Sequence, residues 1–152
     1  MAIQLVFSDM KKYRTKSYSE TVALAEEIAK DMPRGTVIGY LGDLGAGKTA
    51  FTTGLAKGLG IEADVSSPTF AICNEYRGNG KTLYHFDMYR IDGWDDLYST
   101  GFFDYLETDA YIAAEWSENI YGALPDDAVI VDISKISDTE REFKICTKGE
   151  LE

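Results

Sequence analysis

The chain has little of what usually staples, interrupts or positively charges a fold. Its 152 residues hold two cysteines, three prolines and one histidine. Cys73 and Cys146 have no Cys-x-x-Cys and no histidine at ligand spacing, which excludes a disulfide framework and a structural zinc site. They read as small core hydrophobes of a reducing compartment. Basic residues are scarce too: 15 Lys and Arg against 26 Asp and Glu give a formal net charge of −11. Affinity for DNA or RNA comes largely from neutralising phosphates, so a chain this acidic is a poor autonomous nucleic-acid binder. It is equally unsuited to an anionic membrane surface. No apolar run approaches the roughly 18 residues of a membrane helix. The segment from Met1 to Ser19 is too charged for a secretory leader. The expectation is a soluble cytoplasmic protein with no membrane partner.

What is present is a well-supplied core. Hydrophobic residues make up 45% and aromatics 12% of the chain, which rules out disorder or low complexity. The length suits one domain spanning 1–152, with no repeat or linker to divide it. After an apolar then basic arm over Met1–Lys16, read as an edge strand or loose segment, Ser17 and Glu20 form a capping-box pattern. Val22, Leu24, Ala25, Ile28 and Ala29 continue one apolar helical face, and Pro33-Arg34-Gly35 ends it. Thr36–Leu41 reads as a buried strand. A glycine-rich turn follows, and then a helix over Lys48–Leu59 closed by Gly60.

Alternating Phe70, Ile72 and Tyr76, the turn around Asn79-Gly80 and the apolar run Thr82–Tyr89 predict a hairpin. One or two short helices over Trp94–Leu106, a strand over Tyr111–Ala114 and a short helix over Ser117–Leu124 come next. Two closing strands, Ala128–Ile133 and Glu140–Cys146, complete the pattern. Helices and strands mixed on both sides of the glycine turn imply an α/β domain with some antiparallel pairing.

Gly42-Asp43-Leu44-Gly45-Ala46-Gly47-Lys48-Thr49 fits G-x-x-x-x-G-K-[ST] in full. Such a loop needs glycine because its backbone N–H groups must turn inward around an anion through conformations closed to residues with a β-carbon. The helix that follows adds the positive end of its dipole. Lys48 brings a full charge to the outer phosphates, and the Thr49 hydroxyl can ligate Mg²⁺. The motif points to a nucleoside triphosphate.

A carboxylate must face such a loop across the site to hold the metal or its water shell. Asp87 and Glu115 each end an apolar run, where open α/β sheets place ligand groups, and either fits. Glu115 has a further candidate role in polarising the attacking water. Arg90 stands close enough behind the same run to neutralise phosphate charge, with a surface ion pair as the alternative. His85 alternates with Asp87 and Tyr89 on one strand face and reads as a packed, hydrogen-bonded histidine. The cluster of Trp94, Phe102, Phe103, Tyr105 and Leu106 reads as core or a partner-facing patch. Neither Asn-Lys-x-Asp nor a strand-terminal Asp-x-x-Gly is present, so ATP is favoured over GTP. A small-molecule P-loop kinase is the alternative, weakened by only five scattered arginines.

These segments, together with Ser67-Pro68-Thr69-Phe70, Glu75-Tyr76, Tyr84–Arg90 (YHFDMYR) and Glu115-Trp116, resemble in order and spacing the TsaE (YjeE) family. Its members are bacterial P-loop ATPases of the tRNA threonylcarbamoyladenosine (t6A) pathway. The likeness runs from about Ser19 to Pro125. It implies a P-loop NTPase-like sandwich with a mostly parallel central sheet, ATP and Mg²⁺ as cofactors, and TsaD and TsaB as protein partners. The activity implied is weak for the chain alone, with tRNA reached only through the complex. By position, Thr21, Asp43, Leu44, Gly45, Ala46, Gly47, Lys48, Thr49 and Ala50 would bind nucleotide, and Thr49 and Glu115 would hold Mg²⁺. Asp87 would serve hydrolysis, and Thr69 would belong to a switch-like loop sensing the γ-phosphate. Ala50 stands where the family often has a second threonine, and the tail after Ile133 matches poorly.

Overall fold

The computed structural model describes residues 11–42, 47–66 and 73–151. β1 (Lys11–Thr15) leads into α1 (Tyr18–Lys30), β2 (Val37–Gly42) and α2 (Lys48–Gly58). The hairpin β3 (Cys73–Gly78) and β4 (Lys81–Asp87) precedes two short helices, α3 (Trp94–Ser99) and α4 (Phe102–Leu106). β5 (Tyr111–Glu115), a 3-10 segment (Ser117–Ala123), β6 (Val129–Lys135), β7 (Arg141–Thr147) and α5 (Lys148–Leu151) follow.

The strands form one seven-stranded sheet in the order β1-β7-β6-β2-β5-β4-β3. Its centre is parallel: β6 with β2, β2 with β5 and β5 with β4. The flanks are antiparallel, through β1–β7, β6–β7 and β3–β4. Local chemistry accounts for the elements that matter to the site. Ser17 Oγ accepts the Glu20 N–H at 3.1 Å, and Glu20 Oε1 accepts the Lys16 N–H at 2.7 Å. This is the reciprocal cap expected from Ser-x-x-Glu, with the glutamate reaching one residue further back. Asn79 and Gly80 both take left-handed φ, 54° and 71°, so the hairpin closes through the mirror-image turn that suits twisted strands.

Side chains alternate across the sheet and divide the core in two. On one face, Ile38, Tyr40, Leu83, Tyr111, Ala113 and Val131 meet Ala25, Ala29, Phe51 and Leu55 of α1 and α2. On the other, Val37, Phe86, Ile112, Ala114 and Ile130 meet Leu97 and Phe102 of α3 and α4, and Ile120 of the 3-10 segment. Three-layer packing follows. β2 has sequence-distant parallel neighbours on both sides, so its C-terminal end opens at the middle of the sheet, where such folds collect ligand groups.

The two short helices, the Tyr111 strand and both closing strands stand where the pattern of residues places them. Met1–Met10 and the Phe70 and Ile72 positions lie outside the described residues. α5 and the antiparallel seat of β1 on β7 carry no clear signal in the sequence.

Candidate functional site

The site is built where β2 gives way to α2. Gly42 has φ +118°, and a β-carbon there would strike the Ile133 carbonyl of neighbouring β6, so only glycine lets the chain leave the sheet here. Gly47, at φ +107°, is the N-cap of α2 and offers no side chain to the first-turn N–H groups. The N–H groups at the start of such a helix form a setting suited to an anion. Asp43, Leu44, Gly45 and Ala46 lie outside the described residues. The first turn is tied to β2 beneath it: Tyr40 OH and Thr52 Oγ1 are 2.7 Å apart, and Thr52 Oγ1 donates to the Lys48 carbonyl at 2.9 Å. Burial pushes the Tyr40 phenol well above its ordinary value; Thr52's hydrogen bond opposes this and Glu115's charge adds to it. Tyr40 therefore stays neutral and acts as a brace.

Lys48 is the first residue of α2 and is only 4% exposed. Its Nζ is buried with no hydrogen-bond partner among the described residues. The ammonium lies 4.5 Å from the ring centroid of Trp116, a cation–π contact that offsets part of its desolvation. Trp116 itself holds a left-handed backbone, φ 59° and ψ 41°, unusual for a bulky residue. Tyr89 packs on it with ring centroids 4.9 Å apart. A buried, unpaired ammonium at a helix N-terminus is costly unless an anion arrives. The residues therefore fit a polyphosphate.

Asp87 and Glu115 are register partners at the C-terminal ends of parallel β4 and β5. By alternation from Leu83 and Tyr111 they occupy the sheet face that carries α2. Glu115 is 5% exposed, and His85, on the same face and fully buried, donates from Nε2 to Glu115 Oε2 at 2.6 Å. The packed histidine thus fixes the orientation of the carboxylate, a role that spacing alone does not reveal. Asp87 is half-buried and its Oδ1 accepts the Tyr89 N–H at 3.0 Å. Thr49 is half-buried at the second position of α2. Arg90 is exposed in the turn beyond β4, with no ion pair among the described residues. Thr69 lies outside the described residues.

A cavity of about 340 Å³ opens beside the same helix start. Thr21, Gly47 and Ala50 line it, with Tyr18, Asp138 and Arg141 from positions outside every motif. The Thr21 hydroxyl is engaged with Thr15 Oγ1 at 2.7 Å, so it contributes shape there while that bond holds. Arg141 donates to the carbonyls of Ser137 and Glu140 at 2.7 and 3.0 Å, which holds the β6–β7 turn against the cavity. Glu118 also escapes the motifs: its Oε2 accepts the Gly42 N–H at 3.2 Å. None of these contacts sits at a fixed spacing from the glycine motif, and each depends on which strands become neighbours.

A glycine turn leaving the centre of a mostly parallel sheet, a helix start with a buried lysine and two strand-end acids facing that helix define a P-loop α/β fold. The family described as "Threonylcarbamoyl adenosine biosynthesis protein TsaE" matches residues 15–143. The TsaE protein of Bacillus subtilis is 39% identical over 138 residues, 91% of this chain and 86% of that one. The TsaE protein of Haemophilus influenzae is 41% identical over 115 residues, 75% of this chain and 73% of that one. Among solved structures, YdiB of Bacillus subtilis superposes with a TM-score of 0.76 at 36% identity, covering 94% of this chain and 88% of that one. The chain belongs to the TsaE family.

Proposed function

We propose that this protein is the ATP-binding and ATP-hydrolysing component of the bacterial machinery that makes t6A in tRNA, serving turnover of a TsaD–TsaB threonylcarbamoyl-transfer complex. Its relatives carry names of t6A biosynthesis proteins. The observation that carries the nucleotide reading is the Lys48 ammonium, buried and without a hydrogen-bond partner among the described residues at the amino end of α2. Lys48 and the first-turn N–H groups would hold the phosphates. The cavity lined by Thr21, Gly47 and Ala50, beside the same helix start, would take the rest of the nucleotide.

Thr49 and Glu115 would hold Mg²⁺, which neutralises phosphate charge when bound. Among the described residues no three His, Cys, Asp or Glu side chains form a preassembled metal cluster. Mg²⁺ commonly takes one or two protein ligands and completes its shell with substrate oxygens and water. His85 keeps the Glu115 carboxylate aimed. Asp87, its register partner on the adjacent strand, would orient the attacking water. The strong negative charge suits a subunit that serves tRNA chemistry without gripping tRNA itself.

Asp87→Asn separates binding from hydrolysis. The variant should keep its MgATP-induced rise in melting temperature, lose at least tenfold in phosphate release with TsaD and TsaB present, and fail to restore t6A in cells lacking the wild type. Phosphate release and t6A at wild-type levels would overturn the hydrolytic role.

A further inference from the structure

Beyond β4 the chain carries a surface that the nucleotide site does not use. From Asp87 to Asp109, seven acidic residues stand against one base, Arg90. In the same segment Trp94 is 57% and Tyr98 66% exposed. Both rings rest on Phe103, with centroids 6.0 and 4.6 Å away, so they are held in place. Beside Trp94 lies a groove of about 330 Å³, lined by Leu97, Ile120 and Tyr121 and by the polar Asp92, Glu118 and Asn119. Asp92, Asp95 and Asp96 are exposed around the start of α3, and none pairs with a lysine or arginine among the described residues.

Large aromatic rings held in solvent beside a partly apolar, partly acidic groove mark a binding surface, because tryptophan and tyrosine give much contact area at little ordering cost. The unpaired aspartates select the sign of the partner: cations are drawn in, and phosphate backbones are repelled. We propose that this ledge docks a protein through a basic segment. An arginine or lysine of that segment lies against Trp94 or Tyr98 and pairs with Asp95 or Asp96, while an apolar neighbour fills the groove. The ledge is continuous with the nucleotide site. Glu118 lines the groove and holds the Gly42 N–H, and Tyr89 packs on the Trp116 ring that carries Lys48.

The assignment rests on the proposed function, since the partner is the complex this ATPase would serve. It is tested with purified TsaD–TsaB complex and ATP, measuring binding of the full chain at low and moderate salt. Trp94→Ala with Tyr98→Ala, and separately Asp95→Asn with Asp96→Asn, should each weaken binding at least tenfold while leaving the MgATP-induced melting shift intact. The aspartate variant should also lose most of the salt dependence. Wild-type affinity in both variants would overturn the ledge alone. A wild-type chain that fails to bind the complex would overturn the proposed function and the ledge with it. Binding to tRNA alone that falls with the same substitutions would overturn a protein occupant.

Discussion

The chemistry of single side chains here is set by burial more than by neighbours. Lys48 is costly to the free fold: its ammonium is desolvated against the Trp116 face with no hydrogen-bond acceptor among the described residues, an arrangement that an incoming anion would relieve. Cys73 shows the same control. Burial pushes its thiol up to about 12, Glu75's charge adds to this, and a hydrogen bond from the His85 backbone opposes it. Since the folded chain holds this proton more tightly than the unfolded one, the thiol favours folding below pH 9 and loses that effect as pH rises towards 12. Reactivity follows the thiolate. Alkylation of Cys73 by iodoacetamide at about pH 8.5, near the ordinary thiol pKa, should run at least tenfold slower in the native protein than in urea, read by mass spectrometry. Equal rates would show that the thiol is not shielded.

At the scale of elements, α1 and α2 approach each other closely through glycine. Gly54 and Gly58 lie about one turn apart, facing Ala25 and Ala29. A β-carbon on Gly54 would strike the Val22 carbonyl and come within 2.6 Å of the Ala25 Cβ. Alanine in place of glycine inside a helix ordinarily gains up to about 1 kcal/mol in propensity. Here overpacking of about 1–3 kcal/mol opposes it, and the backbone on one side cannot yield as a side chain does. Gly54→Ala should therefore lower the melting temperature by several degrees at ~2–4 °C per kcal/mol for a chain of this size. A rise on thermal denaturation would contradict the close packing.

Elements with local chemistry are legible in the sequence itself. The Ser17 cap and the Asn79-Gly80 turn each encode their geometry in a few consecutive residues, and Gly42 and Gly47 mark where the chain leaves β2 and enters α2. What spacing cannot supply is adjacency. The pairing of His85 with Glu115 needs β4 beside β5, and the cavity edge at Arg141 needs the β6–β7 turn brought to α2. Trp116 is visible as part of a motif, but its contact with Lys48 depends on a left-handed backbone that its residue type does not announce. Both acids stand at strand ends, as their apolar runs imply, and the register adds that they are neighbours across the β4–β5 pair.

For the molecule as a whole, charge and architecture divide the labour. The central parallel strands bring Gly42 and both acids to one end of the sheet, beside the start of α2. Exposed acidic and aromatic residues extend from Tyr89 over α3. No helix among the described residues is long and apolar enough to cross a membrane.

The central claim is that the start of α2, with Lys48 buried against Trp116, is a polyphosphate seat. Thermal melts of the wild type and of Lys48→Met, with and without MgATP, address it most directly. At a hundredfold excess over Kd, bound nucleotide should stabilise the wild type by ~2.7 kcal/mol, or roughly 5–10 °C. Lys48→Met should melt no lower than the wild type when both are free of nucleotide, because it removes a buried charge with no hydrogen-bond partner among the described residues, and it should show no shift with MgATP. A full nucleotide shift retained in Lys48→Met would contradict the account.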